Sequence, residues 1–173
     1  MSADDVEDLE GSSNFLSIIA ILTSSVDDEE VAEACCDALL RLSTSVDKKE
    51  LGTAAMDALT SCVIKMTEED AASVVEVALS VMAKVASAVD VFGEVSLEAL
   101  GKAMDTFDGT EPVIQEQGCL VICGIAEKKD AKVIAGLVDW GVMKRLEEAD
   151  AKIVNVRNKK YVTEAMDLIA ASN

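Results

Sequence analysis

The chain has 173 residues, about one domain, and no histidine. That removes the commonest general base, the Ser–His and Cys–His couples and the usual zinc ligand. Half the residues are apolar but only five are aromatic (Phe15, Phe92, Phe107, Trp140, Tyr161), so a core must be built from Ala, Val, Leu, Ile and Met, a mixture that favours helix packed on helix. Fifteen bases against 33 acids leave a net charge of −18, which sets the chain against nucleic acid and anionic membrane.

The start, MSADDVEDLE, is acidic where a secretory signal needs positive charge, and residues 1–12 read as a flexible tail before a single domain over 13–173. The longest uncharged stretch, Gly11–Val26, has 16 residues, short of the roughly 20 that a bilayer span needs. It reads as a very buried helix over 15–24. Helix starts follow at Asp27-Asp-Glu-Glu30, Asp47-Lys-Lys-Glu50 and Thr67-Glu-Glu-Asp70, each with a capping oxygen and a carboxylate three residues on. They are spaced by 20 residues. These signals predict helices over 28–43, 48–65 and 68–87. A helix over 94–106 precedes the turn Asp108-Gly-Thr-Glu-Pro112, where the chain's one proline opens a helix over 112–127. Further helices are predicted over 130–138, 141–150 and 159–171. Apolar residues recur at three and four throughout, as in Val31, Ala34, Cys35, Ala38, Leu39 and Leu42. No alternating strand pattern stands out, so the fold class is all-α.

Four segments resemble one another: Glu33–Ser43, Glu76–Ala86, Glu116–Ala126 and Lys160–Ala170, at register shifts of 43, 40 and 44 residues. Each opens on a charge, carries an apolar stripe and closes on an aliphatic followed by Ala or Ser. A period in the low forties lies in the range of armadillo and HEAT arrays. The stretch Pro112-Val-Ile-Gln-Glu-Gln-Gly-Cys-Leu-Val-Ile-Cys-Gly-Ile-Ala126 resembles the third helix of an armadillo repeat. Lys128–Leu146, with its glycine turn at Gly141, resembles the first two helices of the next. Residues 44–66 lack the short first helix and read more like a HEAT hairpin. The resemblance implies a right-handed α-solenoid of about three and a half repeats whose third helices line a concave, protein-binding face. The family often holds an extended peptide with asparagines and tryptophans. Here the asparagine places hold Arg41, Lys84, Gly124 and Leu168, and the tryptophan places hold Asp37, Ser80, Leu120 and Glu164.

The five cysteines (Cys35, Cys36, Cys62, Cys119, Cys123) are odd in number, sit inside apolar stripes and form no C-x-x-C pair. They read as buried free thiols of a reducing compartment, hence a cytoplasmic protein. Paired acids fall at helix starts and on polar faces, glycines form no phosphate loop, and no calcium loop is present, so no catalytic residue, cofactor or metal is expected. Gly118 and Gly124 are read instead as allowing a neighbouring helix close.

Charge is distributed unevenly: residues 1–100 carry 21 acids and 5 bases, residues 101–173 carry 12 and 10. The bases gather at Lys128-Lys129, Lys144-Arg145 and Arg157–Lys160. In the armadillo register Glu33, Glu76 and Glu116 form an acidic row. That row either attracts a basic or extended segment of another protein or keeps an apolar stack soluble. The expected partner-binding residues on the concave face are Glu33, Asp37, Arg41, Glu76, Ser80, Lys84, Glu116, Leu120 and Lys160. The first helix is apolar around most of its circumference, so Phe15, Leu16, Ile18, Ile19 and Leu22 are candidates for self-association, as a homodimer through a terminal helix. The expected function is a non-catalytic protein-interaction scaffold. The alternative is a regulatory subunit or assembly chaperone that covers a partner's apolar surface with its terminal helices.

Overall fold

A computed structural model describes residues 14–89, 92–108, 110–153 and 156–171. The expected tail over 1–12, Gly109 and the side chain of Arg157 lie outside the described residues. Among the described residues the chain forms helices and no strand. They are α1 (Phe15–Ser24), α2 (Glu29–Leu42), α3 (Lys48–Glu68), α4 (Ala72–Val85), α5 (Glu94–Thr106), α6 (Pro112–Ala126), α7 (Ala131–Asp139), α8 (Val142–Lys152) and α9 (Val156–Ala171). The fold is all-α. No described helix is long and apolar enough to cross a membrane.

Local chemistry sets most boundaries. Asp47 caps α3 by accepting from the Lys49 and Glu50 amides, both at 3.0 Å, and Asp130 caps α7 through Lys132 and Val133. Pro112 takes the first position of α6, where its missing N–H leaves no gap in the ladder. Gly141 opens α8 at φ +77°, a left-handed conformation that side chains resist. Two start signals are corrected. The cap of α2 is Asp28, not Asp27. Thr67 starts nothing: it is buried in the last turn of α3, its hydroxyl unpartnered. The chain turns there through Asp70 at φ +61°, and the Ala71 amide donates to the Met66 carbonyl, closing α3 as a Schellman-type end. The helix starts therefore lose their even spacing.

The four helices that carry the internal similarity pack in succession: α2 on α4, α4 on α6, and α6 on α9. Beside this row α1 packs on α3 and α3 on α5, and α3 also lies along α4. Past α5 the second row continues through side chains. The Arg145 guanidinium of α8 donates to Asp105 at 2.6 Å and to the Gly101 carbonyl, and Lys152 pairs with Asp108.

The core is aliphatic, as the composition requires, with Ile18, Leu39, Leu59, Leu79, Leu100 and Ile122 fully buried. Glycines bring the helices together. A Cβ on Gly118 would stand 2.6 Å from the Met104 sulfur of α5, and one on Gly124 would stand 2.8 Å from the Ala86 Cβ at the end of α4. Three buried polar side chains are paired across helices: the Thr60 and Ser96 hydroxyls at 2.9 Å, and Gln115 Nε2 donating to the Met104 carbonyl at 2.6 Å.

The apolar first helix is covered by the chain itself. Phe15, Ile18, Ile19 and Leu22, which the sequence offered to a second copy, are buried against α2 and α3, and of the five Leu16 is exposed. The rest of the outer face is Ser17, Ala20, Thr23 and Ser24, small and polar residues that water tolerates.

Candidate functional site

Helical spacing puts residues four apart on one face. Glu33 and Asp37 of α2, Glu76 and Ser80 of α4, and Glu116 and Leu120 of α6 all lie half-buried. Arg41 and Lys84, one turn further on, are exposed. The packing order of the row places these equivalent positions on consecutive helices. On the last helix Lys160 is exposed and lines an open groove of about 580 Å³ with Lys129, Glu164, Asp167 and Leu168. Gly124, which holds an asparagine place of the family pattern, is buried against Ala86 and belongs to packing rather than to this face.

Electrostatics marks one part of the face. Burial raises the Glu76 carboxyl above the ordinary glutamate range, and the negative charges of Glu111 and Glu116 raise it further. Two members of the expected acidic row, Glu76 and Glu116, are thus close enough to repel one another. Glu33 sits on the neighbouring helix, half-buried. Glu111 escaped the sequence reading because it lies outside the repeat register. Its only sequence signal is its place beside Pro112, at the mouth of α6. The Ser80 hydroxyl is turned inward and donates to the Glu76 carbonyl at 2.9 Å.

The thiols lie inside the helix packing. All five cysteines are buried and free; the Cys36 and Cys62 sulfurs stand 3.9 Å apart, joined by a thiol hydrogen bond and not by a disulfide. Burial, with nearby negative charge, pushes Cys35 and Cys123 up to about 11 and Cys119 up to about 12. Each stays protonated at neutral pH, where the thiolate is the nucleophile and metal ligand. Among the described residues no group of three His, Cys, Asp or Glu side chains is placed to hold a metal.

With the geometry in hand, the chain can be set beside known proteins. No protein-family model matches it, and no curated protein does. Its fold is similar to that of an engineered protein whose crystal structure was solved by the Northeast Structural Genomics Consortium, with a TM-score of 0.66 and 19% identity over 99% of this chain and 68% of that one. The likeness is one of fold alone.

One further cluster went unseen in the sequence. Trp140, after α7, is held from two sides: its Cζ2 would lie 2.7 Å from a Cβ on Gly101, and the Arg145 guanidinium carbon stands 4.8 Å from its ring centroid. The glycine admits the ring, the cation stacks on it, and Asp105 anchors the cation. The indole is thereby fixed in place while remaining half-exposed.

Proposed function

We propose that the chain is a non-catalytic, armadillo/HEAT-like α-solenoid that binds another protein across the face of α2, α4, α6 and α9, and that the segment it binds is basic and extended. The observation that carries this reading is the crowding of Glu76, Glu111 and Glu116 on the helices of one packed row. Glu76 and Glu116 are half-buried and Glu111 is exposed beside them; their like charges repel, and an arriving Lys or Arg relieves that repulsion while forming charge-assisted hydrogen bonds. Charge kept only for solubility has no reason to gather where it is partly desolvated. The net −18 adds long-range attraction for a cationic segment.

The second reading, a subunit that covers a partner's apolar surface with its ends, retains Leu16 at one end and Tyr161 at the other, 58% and 38% exposed. Among the described residues these are single exposed large apolar side chains, whereas surfaces of that kind are marked by contiguous apolar patches of a few hundred Å². The face reading is therefore preferred.

The test is a titration of the chain with fluorescein-labelled, Lys/Arg-rich extended peptides at low and high salt. The combined variant Glu33→Gln, Glu76→Gln, Glu116→Gln should bind about tenfold more weakly at low salt, with the gap narrowing as salt is raised. Equal binding by the variant at low salt would dispose of the proposal. Loss of binding on Leu16→Glu, with the glutamates immaterial, would favour the second reading.

A further inference from the structure

We propose that a second surface, the groove between the start of α5 and the outer side of α7, is a docking site for a short basic segment of another protein anchored by one apolar side chain. The groove has a volume of about 570 Å³. Its floor is apolar, formed by Phe92, Leu97, Val133 and Trp140, all half-buried, and so holds two of the chain's five aromatic residues. Its rim carries Glu94, Glu98 and Asp139, with Asp130, the cap of α7, and a single cation, Lys132. Among the described residues none of Glu94, Glu98 and Asp139 has an ion-pair partner.

An independent observation is Gly136, on the groove wall. Glycine inside a helix destabilises it relative to alanine, and elsewhere the chain has a reason for it. Gly52, Gly101, Gly118 and Gly124 each sit where a Cβ would come within 3 Å of a neighbouring side chain. At Gly136 a Cβ would meet nothing within 4 Å. The bare backbone faces open space in the groove, the arrangement that lets another chain approach closely. The occupant follows from the lining: an apolar side chain among Phe92, Leu97 and Trp140, flanking Lys or Arg on the carboxylates, and main chain against Gly136. An acidic segment would meet its own charge.

Trp140, the one tryptophan of the chain, reports directly on occupancy. The full chain is titrated with peptides of about ten residues carrying one Leu among Lys and Arg, and with counterparts in which Glu replaces the bases. The basic peptides should shift Trp140 emission saturably at micromolar concentration, and the acidic ones should not. Gly136→Ala should weaken binding about tenfold while unfolding no earlier than wild type, and Glu98→Gln with Asp139→Asn should do the same in a salt-dependent way. Emission that basic peptides leave unchanged would overturn the inference, as would equal binding by Gly136→Ala. Binding of a labelled peptide that leaves Trp140 silent and is lost on Glu76→Gln with Glu116→Gln would place the segment on the row face, overturning this inference and leaving the row proposal standing.

Discussion

The same substitution at two helix glycines should have opposite signs, and the difference measures how closely α4 and α6 approach. In Gly124→Ala the new methyl would lie 2.8 Å from the Ala86 Cβ and 3.3 Å from the Ser87 amide nitrogen. Carbon–carbon contacts are comfortable at about 3.5–4.0 Å, so the first clash is about 1 Å deep. A methyl and a backbone atom cannot rotate out of the way. The helices must separate, and overpacking of this kind costs about 1–3 kcal/mol, against a gain of roughly 0.5–1 kcal/mol for removing glycine from a helix. The net loss is about 1 kcal/mol or somewhat more, which lowers the melting midpoint by about 2–4 °C per kcal/mol in a chain of this size. Gly136→Ala meets no atom within 4 Å and keeps only the gain. Urea and thermal unfolding followed by far-ultraviolet circular dichroism would read both. A Gly124→Ala variant as stable as Gly136→Ala would refute the close packing of α6 on the end of α4.

Three more outcomes follow from the geometry. Because the Glu76 carboxyl is raised in the folded chain, it favours the fold below the ordinary glutamate range and this is lost as pH rises; Glu76→Gln should therefore stabilise at pH 7 and lose that advantage in acid, checked by urea midpoints across pH. The thiols of Cys35, Cys119 and Cys123, pushed up to about 11, 12 and 11, should react with a disulfide reagent at neutral pH only as fast as the chain opens, and fully once it is unfolded. Removing the guanidinium in Arg145→Ala takes away the Asp105 pair, the Gly101 carbonyl bond and the cation over Trp140; a loss of about 1 kcal/mol and a red shift of Trp140 emission are expected, seen by chemical unfolding and fluorescence.

Much of the helix layout was legible in the residues because its signals are local. Asp47 and Asp130 cap where a short polar acceptor before an apolar stripe should, Pro112 opens a helix, and α1 and α5 fall on the expected bounds. Thr67 misled for the same reason: a threonine followed three residues later by an acid looks alike whether it opens a helix or ends one. What separates the cases is the left-handed turn at Asp70, which no periodicity encodes. The pairing of Glu76 with Glu116 was readable as repeat register, whereas Glu111 joins them only through the packing of α6 on α4. Phe92 and Leu97 come from one stretch of chain and Val133 and Trp140 from another some forty residues on, and only tertiary packing gathers them into one groove.

The succession of α2, α4, α6 and α9 in one open row is most directly tested by a distance across it. Spin labels on Asp37→Cys and Glu164→Cys occupy equivalent places on the first and last of these helices, and the native thiols, all buried, escape a brief exposure to label at neutral pH. Three steps of about 8–10 Å each predict a separation of roughly 25–30 Å by pulsed dipolar spectroscopy. A distance of about 8–15 Å, the range from side to diagonal of a closed four-helix bundle at the same spacing, would contradict the row and the binding face built on it.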